Sequence, residues 1–255
     1  KDPRRIRPWA MRLDRHHDAF SGDAVFACRD AGETLAFIAT MKLLAKAGWD
    51  VVGLALTANA ATLLHNAGGL RVLTLPDLGV RQSLRRGDTL SPGQLHAIQE
   101  ALQDTTRLVT GLVSAVQLQL AQNWRGARVM GYDDGFALWR NDTYAARFLQ
   151  SSTDAMELMV TSRIIARESQ PRHRAIVSVV GQPTLAAWNA TAHNIDAANA
   201  LRRRLAVHRP VLAFFGGYGS RNYNRSIEVL ADAIQRGDIL AEFEVFITPH
   251  PGQGG

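Results

Sequence analysis

Cysteine is almost absent from the 255-residue sequence, in which Cys28 is the only one. An internal disulfide is therefore impossible, which excludes the disulfide-rich secreted scaffolds and favours a reducing compartment such as the cytoplasm. Cys28 ends the apolar run AVFAC. We therefore expect it to be a buried structural thiol and not a nucleophile.

Long apolar runs are missing as well. No stretch approaches the about 20 apolar residues that a membrane-spanning helix needs, so we expect peripheral contact with a membrane at most. Residues 1–20, KDPRRIRPWAMRLDRHHDAF, are basic. No apolar signal core follows them, so we interpret them as a basic arm and not as a secretory signal.

Aromatic residues make up 7% of the chain and form no series of stacking positions. The net charge of +6 comes from 29 Lys and Arg against 23 Asp and Glu, and the basic residues are scattered. A positive charge suits an anionic ligand. Because no RNA-binding or zinc-finger pattern accompanies it, we expect a phosphorylated small molecule as partner and no nucleic acid.

The chain does contain a regular alternation of short apolar strands and helical patterns. Strands are predicted at 23–30, 50–57 and 70–75, with helices between them. This βαβαβ order predicts a parallel sheet with right-handed crossovers. Further strands, again separated by helical segments, are predicted at 106–114, 127–134, 154–162 and 173–183.

A second α/β unit is predicted from residue 184 onwards. A helical pattern at 185–208 precedes the strand PVLAFFGG, the helix NRSIEVLADAIQRG and a strand within FEVFITPHPG. We therefore divide the chain into the arm 1–20, a first domain 21–183 and a second domain 184–255. Two such domains normally need about 300–400 residues, so we expect the second one to be truncated.

Ligands of open parallel sheets bind at the carboxyl ends of the strands. Four strand ends carry polar or glycine-rich segments, namely RDAGE (29–33), GYDD (131–134), GGYGSR (216–221) and TPHP (248–251). Glu33 either stabilises the dipole of the helix that follows or acts as a partly desolvated general base. Asp133 and Asp134 form either a like-charge pair, in which one pKa is raised, or an ordinary loop.

The glycines of GGYGSR allow close approach of backbone to a ligand, and the helix that follows offers free N–H groups to an anion. Ser220 or Asn222 caps that helix in this interpretation, and Arg221 makes a bidentate phosphate contact. An ordinary capped turn fits the same residues. The segment is neither a Walker A sequence nor a GxGxxG motif, and we find no metal-ligating constellation or nucleophile motif elsewhere.

In the order of its segments the chain resembles the GT-B-fold glycosyltransferases and their relatives, the non-hydrolysing UDP-N-acetylglucosamine 2-epimerases. The resemblance covers 23–252 and is one of order and spacing. It implies an α/β fold with two Rossmann-like parallel-sheet domains that face a cleft. Its segments are ACRDAGETLAFIATMKLLAKAGWDVVGLAL, TRLVTGLVSAVQLQLAQNWRGARVMGYDD, VSVVGQPTLAAW, RPVLAFFGGYGSRNYNRSIEVLADAI and FEVFITPHP.

The resemblance also implies a site. The donor side comprises Gly216, Gly217, Tyr218, Gly219, Ser220 and Arg221 against the diphosphate, with His250 near the phosphate or the sugar. The acceptor side comprises Arg29, Asp30 and Gly32. The base that deprotonates the acceptor hydroxyl is Glu33 or, failing that, Asp133 or Asp134.

The implied activity is transfer of a sugar from a nucleotide-diphosphate donor to an acceptor hydroxyl, without a metal or another cofactor. A glycan or a lipid-linked acceptor, and a place in polysaccharide biosynthesis, fit that chemistry. One alternative is a nucleotide-sugar 2-epimerase of the same fold, although RDAGE stands here in place of the epimerase segment T-R-P-E. The other is a non-catalytic nucleotide- or glycan-binding module.

Overall fold

A computed structural model describes residues 21–80, 84–134, 143–169, 176–183, 189, 193–215, 220–238 and 242–248. The chain divides into two compact units, Lys1–Ala186 and Ala187–Gly255, which we call the N-terminal unit and the C-terminal unit. The predicted basic arm, residues 1–20, lies outside the described residues. No helix in the described ranges is both long enough and apolar enough to cross a membrane.

The N-terminal unit alternates strands and helices along its whole described length. Its elements are β1 (Ser21–Cys28), α1 (Ala31–Lys46), β2 (Val51–Ala55), α2 (Ala58–Ala67), β3 (Arg71–Thr74), α3 (Pro92–Ala101), β4 (Asp104–Gly111), α4 (Ala115–Asn123), β5 (Arg128–Asp133), α5 (Tyr144–Gln150), β6 (Met156–Val160), α6 (Arg163–Ser169) and β7 (Ile176–Val179). The last strand is shorter than the predicted 173–183, of which residues 173–175 lie outside the described part.

The seven strands form one sheet in the order β3-β2-β1-β4-β5-β6-β7. Every neighbouring pair is parallel, from Cys28 opposite Ala55 at one side to Val160 opposite Val179 at the other. The predicted α/β class with a parallel sheet is confirmed. Because the order reverses between β1 and β4, the carboxyl ends of these two strands define the switch point of the sheet.

The alternation of side chains along each strand divides the core into two layers. Val25 and Ala27 of β1 pack on one face, whereas Phe26 and Cys28 pack on the other. Helices α1 and α2 cover the Phe26 face, and α3 to α6 cover the Val25 face. A strand that is buried on both faces must be apolar throughout, which is why β2 reads VVGLA.

Helix starts in the N-terminal unit are set by short polar side chains. The Asp30 carboxylate accepts from the Glu33 amide at 3.0 Å and caps α1, and the Thr57 hydroxyl caps α2 in the same way. Ser91 and Gln94 form a reciprocal capping box at α3. Each cap satisfies an amide that has no partner inside its helix, so these residues end the loops that follow the strands.

The C-terminal unit contains α7 (Ile195–Arg204), β8 (Val211–Phe215), α8 (Ser220–Gln235) and β9 (Glu244–Thr248). Strands β8 and β9 form a separate two-stranded parallel sheet. Within the predicted helix at 185–208, the structure describes a helix at Ile195–Arg204, and Asn189 is also helical. The helix α8 already begins at Ser220, so Asn222 lies within its first turn and does not precede it as a cap.

Candidate active site

The carboxyl ends of β1, β4 and β5 gather the candidate residues of the N-terminal unit. Strand β1 pairs with β4, and β4 pairs with β5. The loop after β1 therefore lies beside those after β4 and β5. Two segments that are about 100 residues apart in sequence, RDAGE and GYDD, meet at this edge of the sheet. We call this group of residues the carboxyl-edge site.

Two carboxylates approach each other across Gly32. A Cβ atom placed on Gly32 would lie 3.6 Å from Oδ1 of Asp30 and 3.9 Å from Oδ2 of Asp134. Both aspartates are half-buried, whereas Gly32 is exposed. Since Gly32 has no side chain, solvent or a ligand can approach both carboxylates at this point.

Burial and then the charge of Asp30 raise the pKa of Asp134 above its ordinary value. Asp30 is therefore a like-charge neighbour of Asp134. The like-charge interpretation of the Asp133–Asp134 pair stays a prediction. Asp133 itself is buried. The neighbouring Tyr132 hydroxyl donates to Oε1 of Gln182 at 2.7 Å, and burial together with the charges of Asp134 and Asp133 raises the pKa of Tyr132 to about 12.

The third carboxyl of the site, Glu33, is buried, with a residue exposure of 1%. Its Oε1 accepts from the Arg29 amide at 2.5 Å and from the Gln117 side-chain amide at 2.6 Å. Its Oε2 is buried without a hydrogen-bond partner among the described atoms. Burial, and secondly the charge of Asp30, raise the pKa of Glu33 to about 8.

Burial therefore favours the protonated form of Glu33. The predicted interaction of a negative Glu33 with the α1 dipole is weakened to the extent that the carboxyl is protonated. Space for Oε2 comes from Gly111 at the end of β4, where an added Cβ would lie 1.6 Å from this oxygen. Any other residue at 111 would have to displace the Glu33 side chain.

Gln117 of α4 orients Glu33, and sequence analysis did not identify it. Its side chain is 0% exposed. The Ser114 hydroxyl donates to Oε1 of Gln117 at 2.8 Å, so that Nε2 of Gln117 faces Glu33. The one available signal was a glutamine on the apolar pattern AVQLQLAQN, which by itself is equally typical of a surface position.

Arg29 contributes backbone groups as well as a side chain. Its carbonyl oxygen accepts from the Thr57 hydroxyl at 2.6 Å. The Nε atom of its guanidinium is buried and has no hydrogen-bond partner among the described residues. The preceding residue, Cys28, is buried, and burial followed by the charge of Glu33 raises the pKa of its thiol. The expected burial of this thiol is confirmed, and its raised pKa disfavours the nucleophilic thiolate.

The donor-side residues cannot be assigned contacts. Gly216, Gly217, Tyr218, Gly219 and His250 lie outside the described residues, and Ser220 and Arg221 are described only as the first backbone positions of α8. The glycine-rich segment does lie where it was predicted, between the end of β8 at Phe215 and the start of a helix. Its role in phosphate binding stays a prediction.

The described residues contain no group of three or more His, Cys, Asp or Glu side chains that is placed to hold a metal ion. Asp30, Glu33 and Asp134 therefore act in this arrangement as separate carboxyl groups in different environments. Asp134 is half-buried and Glu33 is enclosed, and the pKa of each carboxyl is raised, in both cases chiefly by burial. Such a difference between neighbouring carboxyl groups is typical of sites that transfer protons.

No protein-family model matches the sequence, and no curated protein does. Two solved structures are similar to the chain in fold. A glycosyltransferase from Rickettsia africae ESF-5 has a TM-score of 0.57 at 8% identity, over 91% of this chain and 69% of that one. A UDP-N-acetylglucosamine 2-epimerase from Rickettsia bellii has a TM-score of 0.56 at 11% identity, over 91% of this chain and 63% of that one.

At these identities the likeness is one of fold. It confirms the resemblance to GT-B-like proteins that the order of the segments predicted. The chain spans about two thirds of the length of both structures. An activity of either protein is therefore a hypothesis for this chain.

Proposed function

We propose that the protein is a sugar-nucleotide enzyme that transfers a sugar from a nucleoside-diphosphate donor to an acceptor hydroxyl. The GT-B-like fold supports the substrate class. The observation that carries the proposal is the approach of Asp30 and Asp134 across Gly32 at the switch point of the sheet. Ligands of such sheets bind at this point, and the pair provides a carboxylate with a raised pKa there.

We assign the general base to Asp134. It is half-buried and therefore accessible, whereas Glu33 and Asp133 are both buried. A carboxylate with a raised pKa takes a proton more readily than an ordinary one. In the proposed reaction Asp134 removes the proton of the acceptor hydroxyl, the oxygen forms a bond to the anomeric carbon, and the bond from that carbon to the diphosphate oxygen breaks.

In this proposal, residues of the C-terminal unit bind the departing diphosphate. The segment from Gly216 to Arg221 and the amides at the start of α8 would neutralise its charge, with His250 as a further contact. This arrangement requires no metal or other cofactor. We also propose that the acceptor is a glycan or a lipid-linked molecule and that the reaction belongs to polysaccharide biosynthesis.

The test begins with thermal unfolding in the presence of UDP, GDP, CDP, ADP and dTDP. A ligand at about 100 times its Kd stabilises a protein by about 2.7 kcal/mol, which identifies the nucleotide. Release of that nucleotide from its sugar conjugates is then measured with a panel of sugar acceptors. We expect Asp134→Asn to lower acceptor-dependent release by about 10²–10⁴-fold and to leave nucleotide binding unchanged.

The matched control is Asp104→Asn, which makes the same change at the exposed, opposite end of the sheet, where β4 begins. We expect it to keep wild-type activity. An Asp134→Asn variant as active as this control would exclude Asp134 as the base. Absence of nucleotide binding in the wild-type protein would exclude the whole proposal.

A nucleotide-sugar epimerase is the second candidate, because one of the two similar structures carries that description. Epimerisation needs no acceptor. Incubation with UDP-N-acetylglucosamine alone, followed by NMR of the sugar protons, therefore separates the two reactions. New sugar signals without an acceptor favour the epimerase, and acceptor-dependent release of UDP favours the transferase.

A further inference from the structure

The segment from Arg29 to Gly32 is held by side chains from several elements. From α1, the Glu33 carboxyl accepts from the Arg29 amide, and the Thr34 hydroxyl donates to the Asp30 carbonyl oxygen. From the start of α2, Thr57 donates to the Arg29 carbonyl oxygen at 2.6 Å. Each of these contacts fixes a backbone group beside the Asp30 carboxylate.

Glu33 depends in turn on a residue 84 positions away. Its Oε1 receives both the Arg29 amide and Nε2 of Gln117. The Gln117 amide has one orientation, because its Oε1 accepts from the Ser114 hydroxyl at 2.8 Å while its Nε2 also faces the Ala27 carbonyl oxygen at 3.4 Å. Rotation of the amide would place an oxygen against the Ala27 carbonyl oxygen and leave the Ser114 hydroxyl without its acceptor.

We propose that Gln117 is a positioning residue of the carboxyl-edge site, which acts through Glu33 to hold the Arg29–Asp30 backbone and thereby keeps the Asp30 carboxylate opposite Asp134. Its catalytic consequence rests on the proposed function, but the positioning itself does not. Gln117 is fully buried, so it acts without contact to a ligand. Gln117 acts on Arg29 through the Glu33 carboxyl, because the Gln117 side-chain amide and the Arg29 backbone amide both donate to Oε1 of Glu33.

The charged and titratable residues of the β1–α1 segment that carries Glu33 include Cys28, Arg29 and Asp30. Asp30 and Cys28 interact electrostatically with Glu33. Asp134 at the end of β5 lies across Gly32 from Asp30. Helix α4 contributes no titratable group, since its sequence is AVQLQLAQN. Replacement of the neutral Gln117 by a neutral residue does not change the charge of the site. Its effects on these carboxyls therefore report on hydrogen bonding and position.

The test compares Gln117→Met with the wild-type chain by carbon-13 NMR titration of the Asp and Glu carboxyls. Methionine fills similar space but donates no hydrogen bond. The hydrogen bond from Gln117 lowers the pKa of Glu33, so we expect its loss to move the Glu33 titration midpoint upward by about one pH unit. We expect the midpoint of Asp134 to fall toward its ordinary range, because Asp30 is no longer held opposite it.

The matched control is Gln122→Met, the same change on an exposed residue of the same helix. It should leave both midpoints unchanged. Midpoints in Gln117→Met equal to those of this control would overturn the proposal. If Gln117→Met does not fold, Ser114→Ala removes the hydroxyl that orients the amide. It should shift both carboxyls in the same directions by a smaller amount, and unchanged midpoints in this variant would also overturn the proposal.

These titrations need no substrate, so they separate this inference from the proposed function. If the wild-type protein transfers sugar, Gln117→Met should lower kcat about tenfold and leave KM for the donor unchanged, because only the position of the acceptor-side carboxylates changes. Shifted carboxyls in a protein without transferase activity would refute the proposed function and keep the positioning role. Unshifted carboxyls in an active enzyme would refute the positioning role alone.

Discussion

The two units use the same strand and helix pattern but differ in how much they bury. The N-terminal unit encloses β1 between two apolar layers, one on each face of the seven-stranded sheet. In the described part of the C-terminal unit, Val207 is the one apolar side chain that counts as buried. Its exposed apolar side chains include Ile195, Leu201, Leu205, Val211, Val229, Ile234 and Ile247.

The difference in apolar burial between the two units follows from the number of described strands, seven in the first sheet and two in the second. A parallel sheet is stable when helices cover both faces, and a central strand then buries every side chain. The two described strands of the C-terminal unit include no central strand. A groove of this unit is lined by Phe214, Arg225, Ser226, Val229, Leu230 and Ala233. The order of strands and helices is therefore similar in the two units, while the burial of apolar side chains among the described residues is concentrated in the first.

The largest expected effect is a difference in cooperative unfolding between the two units when each is produced as a separate fragment. We expect residues 21–186 to unfold cooperatively with denaturant and residues 187–255 to show no cooperative transition. The reason is that the second fragment buries too little apolar surface to offset its loss of conformational entropy. Circular dichroism during urea titration measures both. A cooperative transition in the isolated fragment 187–255 would contradict the comparison.

In the whole chain, we expect truncation of an apolar side chain to lower the free energy of unfolding more in the seven-stranded sheet than in the two-stranded sheet. Leu158 of β6 is 0% exposed, and Ile247 of β9 is 46% exposed. We expect Leu158→Ala to lower the free energy of unfolding by about 2–5 kcal/mol, because it leaves a cavity. We expect Ile247→Ala to cost less than about 1 kcal/mol. Urea denaturation of the two variants tests this, and equal losses would mean that Ile247 is covered in solution.

A further expected effect is a difference in the pH dependence of stability. The folded-state pKa of Glu33 is about 8, above its ordinary 4.5. Between these values the folded state binds the proton that the unfolded state releases, so the stability that Glu33 contributes falls as pH rises. We expect the slope to be at most about 1.4 kcal/mol per pH unit. In Glu33→Gln, which stays neutral, urea unfolding between pH 5 and 8 should lack this slope.

Glu244 of the C-terminal unit is the control for that experiment. It is half-buried, and backbone hydrogen bonds from His208 and then Arg209 lower its pKa. Its contribution is present above its ordinary pKa and is lost only as pH falls below that range. Glu244→Gln should therefore leave the slope between pH 5 and 8 unchanged. If Glu33→Gln behaved in the same way, Glu33 would be ionised in the folded protein.

Periodicity and strand-end chemistry predicted most of the N-terminal unit. The alternation of strands such as DAVFACRD and DVVGLALT with helical patterns was enough for the parallel α/β class. RDAGE and GYDD were identified as site segments because they follow strands. The partnership between Asp30 and Asp134 was not predictable, since it depends on which strands are neighbours.

The sequence by itself determined the order of elements, the buried thiol at Cys28 and the positions of the candidate site segments, because these depend on local pattern and on strand ends. Only the tertiary structure decided the environment of each carboxyl. The pKa of Glu33 is raised because burial at the end of β4, where Gly111 leaves space for its carboxyl, outweighs the hydrogen bonds from Arg29 and Gln117 that lower it. Burial and, secondly, the charge of Asp30, which the sheet order places nearby, raise the pKa of Asp134. Desolvation and charge act through space, so they became visible only once the strands were placed side by side.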